Sequence, residues 1–394
     1  MMKRVAMLLN GPIKNDYRVI KIIETLSETH KIHLFYINGN SEEDALHFNQ
    51  NVQLTAVEHS ASFWVKVIRH SLFCYEFNFL KKLVLSCGEH FDCIWANDLP
   101  TLYPAYACSK EMNCKLVYDS HEIYTETINQ FFPRHSTGLK KVLFQKMISF
   151  MRKHGLRTEH KIFPSVDKFL TVNESLLRHF KERNTVKEGL VIMNLPKQNQ
   201  TKEIVPIDYK EKFEWDSSAV ISIYQGQLNE GRGLHLLFEA IQLLPHQFKL
   251  VVVGNGSLGD ALQEWAVKQK LTERIKFIET VELSELSAYT SGADLGINLL
   301  ERFNLSKEYA SPNKLFEYIH SEIPVVASDT IENQRVFDTY AIGQLTGNQP
   351  EKIATAIQEV SKRKKTAFLE AILRAKSHYH WENQVELLNS VLDE

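Results

Sequence analysis

The strongest constraint on the fold is an alternation between short β-rich runs and longer helical stretches that starts at the N-terminus. Residues 4–9 and 31–37 are apolar runs, and residues 16–28 between them have helical periodicity. Further apolar runs follow at 52–57, 93–96, 115–118, 169–172 and 190–193. Helical stretches, including residues 63–86, separate these runs. Strands that alternate with helices predict a parallel sheet covered by helices on both faces.

The same rhythm begins again in the second half of the chain. Its apolar runs lie at 219–224, 249–253, 275–278, 293–299 and 324–328. Residues 195–206 between the halves have the polar, proline-flanked composition of a linker. We therefore predict an α/β protein with two Rossmann-like, doubly wound domains facing across a cleft, where ligands are expected to bind. The predicted segments are 1–197, 198–372 and a C-terminal helix, 373–394, that crosses back to the first domain.

Composition narrows the class of protein. The 394 residues carry a formal net charge of -2, which argues against bulk nucleic-acid binding. The five cysteines are odd in number and lack metal-site spacing, which is typical of reduced thiols in the cytoplasm. No apolar run approaches the roughly 20 residues that span a bilayer. The apolar N-terminal run is broken by Asn10, Gly11 and Pro12, which indicates a first strand and not a signal sequence.

Residues 311–329, SPNKLFEYIHSEIPVVASD, predict a helix that holds an anion and a buried strand behind it. Ser311 is a good N-cap residue, and Pro312 suits the first helical position. Free backbone N–H groups near Pro312 and Asn313 and the charge of Lys314 would then face a phosphate. Glu317 on the same helix suits the hydroxyls of a ribose. A plain capped surface helix explains the segment equally well.

Glycine-rich loops follow two strands of the second half. The segment GQLNEGRG, from Gly226 to Gly233, supplies flexible backbone and the guanidinium of Arg232, which suits a diphosphate. A polar turn with a solvated arginine is the alternative. Gly254 begins a GxGxxG match, but no acidic residue is clearly placed after the next strand, so we interpret it as a turn lining the cleft.

Ionisable residues crowd the end of one strand in the first half. Asp119, Ser120, His121 and Glu122 follow the run at 115–118 and are expected at the carboxyl edge of the sheet. A histidine at such a position can bind a sugar hydroxyl or move a proton. A structural histidine is the alternative.

A basic stretch lies between Arg134 and Lys161. It holds eight Lys or Arg residues against one acid, Glu159, interleaved with apolar residues. This pattern is typical of an amphipathic helix on an anionic membrane surface. A helix that packs on its own sheet with its charges solvated fits as well, and both interpretations stay open.

In their order along the chain, these motifs resemble the retaining glycosyltransferases of the GT-B fold, family 4 type, such as bacterial polysaccharide glycosyltransferases. The segments that carry the resemblance are NDYRVIKIIETL, LVYDSHEIYTE, FLTVNESL, VIMNLP, YQGQLNEGRGLHLLFEAI, LVVVGNGSL, ADLGINLL, SPNKLFEYIHSEIPVVASD and HYHWENQ. They span nearly the whole chain. Individual segments are unspecific, whereas their order is highly specific.

The resemblance implies a nucleotide-sugar donor, such as a UDP- or GDP-sugar, held mainly by the second domain, and an acceptor on the first. It implies no metal and no further cofactor. It also implies that Glu317 binds the ribose, that Arg232 meets the diphosphate and that His121 lies near the transferred sugar. The expected catalytic residues are His121, Arg232 and Lys314. The expected donor-binding residues are Gly11, Gly226, Arg232, Gly254, Pro312, Asn313, Lys314 and Glu317.

The chain departs from the family pattern at three places. Tyr309 stands where the family often has a glutamate, with Glu308 one residue before it, and Gln227 stands where many relatives have arginine. The first loop has Asn10 and Gly11 in place of two glycines. These departures leave Arg232 and Lys314 to carry the phosphate charge.

The expected function is therefore transfer of a sugar to a glycan or lipid-linked acceptor during surface polysaccharide synthesis. The protein would work in the cytoplasm, as a peripheral protein on the inner face of the membrane if residues 134–161 bind lipid. A nucleotide-sugar epimerase or phosphorylase, or a non-catalytic nucleotide-sugar-binding protein on the same fold, are the alternatives.

Overall fold

The chain divides into two compact units. The structure, a computed structural model, describes residues 2–58, 78–132, 137–198 and 204–393. The first unit comprises Met1–Asn194 together with Gln384–Glu394, and the second comprises Leu195–Asn383. The first division thus lies three residues before the expected boundary at 197. The segment that returns to the first unit begins at Gln384, whereas we expected it to begin at residue 373.

Each unit is built on one parallel sheet. The strands of the first are β1 (Arg4–Leu9), β2 (Lys31–Ile37), β3 (Val52–Val57), β4 (Cys93–Asn97), β5 (Lys115–Ser120), β6 (Lys168–Thr171) and β7 (Gly189–Val191). The strands of the second are β8 (Val220–Gln225), β9 (Phe248–Val253), β10 (Ile275–Ile278), β11 (Leu295–Asn298), β12 (Val325–Ser328) and β13 (Gly343–Thr346). The predicted α/β class and parallel sheets are confirmed.

Helices cover the sheets. In chain order they are α1 (Tyr17–Leu26), α2 (Ser41–Ala45), α3 (Asn78–Ser86), α4 (Leu99–Met112), α5 (Tyr124–Thr127), α6 (Gly138–Ile162), α7 (Glu174–Arg183), α8 (Tyr209–Lys212), α9 (Leu234–Leu243), α10 (Gly259–Lys268), α11 (Leu283–Ser291), α12 (Leu305–Glu308), α13 (Asn313–His320), α14 (Ile331–Thr339), α15 (Pro350–Lys362), α16 (Leu369–His378) and α17 (Val385–Ser390). Short 3₁₀ turns lie at Ile13–Asn15, Ile128–Phe131, Phe163–Ser165, Lys365–Phe368 and Trp381–Gln384. Of the helical stretch predicted at 63–86, residues 63–77 lie outside the described residues.

Both sheets have the strand order of a doubly wound fold. The first runs β3-β2-β1-β4-β5-β6-β7 and the second runs β10-β9-β8-β11-β12-β13. In the first unit, strands up to β3 are added on one side of β1, and strands from β4 onward are added on its other side. In the second unit, the same reversal occurs between β8 and β11. In open α/β sheets, ligands bind beyond the carboxyl ends of the strands at such reversal points. Each unit therefore has one sheet edge at which a site is expected.

Burial explains why these runs became strands. All five residues of β4 and all six of β9 are buried, as expected for strands covered on both faces. Helix α1 shows the complementary pattern, because Val19, Ile22, Ile23 and Leu26 form one buried face. The predicted helix at 16–28 is shorter than expected, since Asp16 lies outside it and caps the N–H of Val19 at 3.1 Å.

The C-terminal residues are tied to the first unit by hydrogen bonds. The side chain of Gln384 accepts from the N–H of Met193 at 2.9 Å and donates to its carbonyl at 2.6 Å. Lys115 donates to the carbonyl of Asp393 at 2.9 Å, and Lys3 donates to that of Leu392. Helix α17 packs against α1. Among the described residues, no helix has both the length and the apolar character needed to cross a membrane.

Candidate functional site

Helix α13 in the second unit presents an uncapped N-terminus. It begins at Asn313, and Pro312 precedes it in extended conformation, with φ -68° and ψ 132°. Among the residues that the structure describes, no side-chain hydrogen bond caps its first turn. Our expectation that Ser311 is the N-cap and Pro312 the first helical residue was wrong by one position, because the extended ψ of Pro312 delays the helix. The N–H of Leu315 donates to the carbonyl of Pro312 at 3.1 Å, so the preceding N–H groups of Asn313 and Lys314 are the ones placed to meet an anion.

Lys314 lies in the first turn of α13 and is buried, at 7% exposure. Its ammonium sits 3.8 Å from the centroid of the Tyr224 ring, at the end of β8, and has no hydrogen-bond partner among the described residues. Burial and the nearby charge of Arg232 hold the pKa of Lys314 well below its ordinary value, while Glu317 opposes them. A buried ammonium without an acceptor is costly, so this side chain favours an anion as its partner.

Arg232 supplies the second positive charge of this region. It lies in the loop that follows β8, and its charge acts on both Lys314 and Tyr224. The next residue, Gly233, caps α9 in left-handed conformation, with φ 65°. A Cβ at Gly233 would lie 2.7 Å from that of Leu299, so only glycine fits. The loop that carries Arg232 is thereby packed closely against the end of the neighbouring strand β11.

Glu317 is anchored by residues that the sequence did not single out. The side-chain amide of Gln225, the last residue of β8, donates to Glu317 at 2.6 Å. Thr290 donates to the amide oxygen of Gln225 at 2.6 Å. These contacts fix the carboxylate of Glu317 one turn beyond Lys314. A polar residue that ends a strand directly before Gly226 was the available signal for Gln225.

The loop at Gly254 packs against the loop at Gly226. A Cβ at Gly254, whose φ is 131°, would lie 2.3 Å from the carbonyl oxygen of Gly226. The N–H of Leu228 donates to Asn255 at 2.8 Å, and the N–H of Leu258 donates back to Leu228 at 2.8 Å. Gly254 is therefore required for close packing of two loops at the sheet edge. Contact of Gly226 or Gly254 with a ligand remains a prediction.

In the first unit, His121 lies within a group of three carboxylates. Its Nδ1 is 3.3 Å from Asp98 and 3.9 Å from Asp16, and its Nε2 is 3.4 Å from Asp119. The backbone N–H of His121 also donates to Asp98 at 2.9 Å. Asp98 has a positive φ of 61° directly after β4, which is an unusual backbone conformation for a residue other than glycine. The side chain of His121 is 18% exposed, and its Nε2 atom is buried.

The carboxylates change how His121 titrates. Burial alone would lower its pKa, but Asp98, Asp119 and Asp16 raise the pKa to about 9. Burial raises the pKa of Asp98 to about 6, against the effect of His121. His121 is therefore an imidazolium at neutral pH. In that state it donates hydrogen bonds and does not act as a base. Of the roles expected from the sequence, binding a sugar hydroxyl fits this state.

Arg18 holds the third carboxylate in place. It makes two hydrogen bonds to Asp119, from Nε at 3.2 Å and from Nη2 at 2.6 Å, and a third to the carbonyl of Ile192. Arg18 is 3% exposed and Asp119 is fully buried. Burial would raise the pKa of Asp119, but Arg18 and His121 hold it well below its ordinary value. Arg18 was not predicted from the sequence, where it is a lone arginine in NDYR after the first loop.

The stability of the protein is expected to depend on the charge of His121. Its pKa is raised from the ordinary value of 6.5 to about 9, so the stabilising charge is fully present below pH 6.5 and lost as the pH rises through 9. We expect the free energy of unfolding to fall by up to about 3 kcal/mol across this window. Urea denaturation at pH 6, 7, 8 and 9 measures it. His121→Asn is the control. If the free energy of unfolding of that variant fell as steeply with pH, the assignment of this pH dependence to His121 would be contradicted.

The remaining predicted site residues divide between the units. Gly11 follows β1 in the first unit with a φ of 153°, and in the described part of the chain no atom beyond its own neighbours lies within 4 Å of where its Cβ would be. In the second unit, Glu308 is 3.6 Å from the guanidinium of Arg302. The carboxylate that directly precedes Tyr309 in the sequence is therefore engaged in an ion pair. Tyr309 is the position at which the chain departs from the family pattern.

Within the described residues, one group has potential metal ligands close together: His33, Cys87 and Glu89. Both ring nitrogens of His33 already have partners, Glu89 at 3.0 Å and Thr55 at 2.8 Å. The group belongs to β2 and the loop after α3. The four described cysteines are free thiols, and burial raises the pKa of Cys108 to about 12.

Comparisons with known proteins give a family match for part of the chain. Residues 207–371 match the model of the family described as glycosyl transferases group 1. No curated protein has a significant sequence match to this chain. The matched range contains Gly226, Arg232, Gly254, Lys314 and Glu317, all in the second unit.

Solved structures share the fold over the whole chain. Anabaena HepE in complex with UDP has 17% sequence identity and a TM-score of 0.70, with 99% of this chain and 98% of that one covered. Sucrose-phosphate synthase from Thermosynechococcus elongatus has 16% identity and a TM-score of 0.72, with 99% and 98% covered. A glycosyltransferase from Rickettsia africae has 14% identity and a TM-score of 0.68, with 99% of each chain covered. The chain thus shares the GT-B fold over its whole length, and residues 207–371 are similar to the family of glycosyl transferases group 1.

Proposed function

We propose that this protein transfers a sugar from a nucleotide-sugar donor to a glycan or lipid-linked acceptor. The observation that carries the proposal is the buried ammonium of Lys314 at the N-terminus of α13, which has no hydrogen-bond partner within the described ranges of the chain. A diphosphate would supply the missing partner, and it would meet the positive end of the helix dipole at the same point. Anabaena HepE has been solved with UDP-glucose, which makes a UDP-sugar the first donor to test.

The charges suit the bond that breaks. When the sugar leaves the diphosphate, negative charge grows on the departing phosphate oxygen, and groups already placed near it lower the barrier most. Lys314, Arg232 and the backbone N–H groups after Pro312 are the candidates for this role. In this proposal no divalent metal is needed, because these positive groups take its place.

Glu317 is proposed to accept hydrogen bonds from the ribose hydroxyls. The side-chain amide of Gln225 donates to its carboxylate at 2.6 Å, and a carboxylate can accept several hydrogen bonds. His121, as an imidazolium, is proposed to donate a hydrogen bond to a hydroxyl of the transferred sugar. Gly11 would bring backbone close to the donor.

We further propose that the anomeric configuration is retained, which rests on the resemblance in motif order. The acceptor oxygen forms a bond to the anomeric carbon, and the bond between that carbon and the phosphate oxygen breaks. The proton of the acceptor hydroxyl passes to the departing phosphate on the same face of the sugar. A role in surface polysaccharide synthesis belongs to this part of the proposal, and a lipid-linked acceptor would place the enzyme at the cytoplasmic face of a membrane. NMR of the product gives its anomeric configuration and so tests retention. Turnover measured in the presence of EDTA tests metal independence.

Glu317→Gln is expected to weaken donor binding by roughly 10- to 100-fold, because hydrogen bonds to a charged group contribute about 1.5–3 kcal/mol. Calorimetry with the donor selected by thermal shift from UDP-, GDP- and ADP-sugars measures this. A donor analogue lacking the ribose hydroxyls is the matched control, since the variant should bind it as the wild type does. If no donor produced a thermal shift, the proposed function would be wrong. If the variant lost as much affinity for the analogue as for the donor, the ribose assignment would be wrong.

A further inference from the structure

Helix α6, Gly138–Ile162, is buried along one face only. Its buried residues are Met151, Gly155, Thr158, Glu159 and Ile162, all in the second half of the helix. Phe144, Met147 and Ile148 are half-buried against the core of the first unit, on the same face. The helix packs against α4 and α5 through this face. The structure thus confirms the packing interpretation for one side of the basic stretch and leaves the opposite side to be explained.

The opposite side exposes apolar residues. Leu139 is 90% exposed, Leu143 is 50% exposed, Phe150 is 56% exposed and Val142 is 49% exposed. Leu139, Leu143, Lys146, Phe150, Lys153 and Arg157 follow one another at intervals of four and three residues. This spacing places them along a single line on the helix, facing away from the core. We call these six residues together with Val142 the outer face of α6.

The outer face is also strongly basic. Seven Lys or Arg residues lie within α6, and its single acid, Glu159, is buried and accepts a hydrogen bond from Tyr118 at 3.0 Å. Ser149, Arg152, Lys153, Leu156, Arg157 and His160 line a shallow groove along the helix. Of these, Arg152 pairs with Glu126. The chain as a whole carries a net charge of -2, so positive charge is concentrated on this helix.

The charges decide which partner fits. A second copy of the chain would bring Lys146, Lys153 and Arg157 against the same cations, and like charges at an interface oppose association. An anionic lipid surface offers acyl chains to the apolar residues and phosphates to the cations, whose long side chains reach past the apolar face. We infer that the outer face of α6 docks on an anionic membrane, with Leu139, Leu143 and Phe150 entering the interface. The inference rests on the helix alone and not on sugar transfer.

Vesicle co-sedimentation of the full chain tests the inference. We expect saturable binding to phosphatidylcholine vesicles containing phosphatidylglycerol, little binding to pure phosphatidylcholine, and weakening by salt. Replacing Lys146, Lys153 and Arg157 with glutamine is expected to weaken binding by roughly 100-fold, since each cation near an anionic surface contributes about fivefold. Leu139→Ser with Phe150→Ser is expected to weaken it at least tenfold.

Matched controls lie in the second unit. Val267→Ser removes an apolar side chain that is 64% exposed, and glutamine at Lys268, Lys270 and Lys364 removes three exposed cations. Neither control should change vesicle binding. Equal binding by the α6 variants and the controls, or wild-type binding that ignores anionic lipid, would overturn the inference. So would a concentration-dependent dimer that only the α6 variants abolish. Donor binding, measured in parallel, should stay unchanged in every variant, which separates this inference from the proposed function.

Discussion

Replacing Lys314 with methionine is expected to reduce kcat/KM for sugar transfer by roughly 10²- to 10³-fold, the usual loss when one group facing a developing negative charge is removed. The same change is expected to stabilise the free protein, by about 1–3 kcal/mol at neutral pH. The physical reason is that the Lys314 ammonium is buried and finds no acceptor in the part of the chain that the structure describes. Opposite effects on stability and activity are the signature of a residue kept for a charged ligand.

Thermal unfolding of the free protein and initial rates with the selected donor measure the two effects. Lys249→Met is the matched control, because Lys249 is also buried, at 6% exposure, and lies 5.7 Å from the Trp215 ring. That variant should leave transfer unchanged. A Lys314→Met variant that is less stable than the wild type, or that retains full kcat/KM, would contradict the diphosphate assignment.

Replacing Arg18 with methionine is expected to lower the free energy of unfolding of the first unit by about 3–5 kcal/mol, because it leaves the buried Asp119 without its paired charge. Adding Asp119→Asn to that variant should recover part of the loss, since it removes the uncompensated charge. A double-mutant cycle in urea denaturation gives the coupling energy between the two residues.

Lys362→Met is the reference for an exposed pair. Its partner Glu359 lies 2.7 Å away, both side chains are largely exposed, and the change should stay within about 0.5 kcal/mol. If Arg18→Met destabilises the protein no more than Lys362→Met does, the pair contributes nothing beyond a surface ion pair. In that case the imidazolium of His121 alone would have to compensate Asp119.

Much of the fold could be predicted because local patterns carry it. Buried parallel strands are continuous apolar runs, so β1, β2, β4 and β9 were recognisable without tertiary information. Boundaries were less certain. Helix α13 starts one residue later than expected, and α1 is shorter at both ends, because capping depends on backbone angles that residue type only biases.

The site could be predicted in part. Lys314, Arg232 and Glu317 were singled out by their spacing, and the structure brings them to one edge of the second sheet. Their supports were not predicted, since Gln225 lies 92 residues from Glu317 and Arg18 lies 101 residues from Asp119. No pattern of nearby residues links such distant positions; only the strand order of the sheets does.

The sequence by itself determined the two parallel sheets, the glycine-rich loops after their strands and the helix with a lysine and a glutamate one turn apart. These follow from periodicity and from what each residue type allows the backbone to do. Only the tertiary structure decided the charge states. Folding buries Lys314 over Tyr224 and lowers its pKa, and it gathers Asp16, Asp98 and Asp119 around His121 and raises its pKa to about 9. Burial and distance to other charges set these states, and both exist only once the chain is folded.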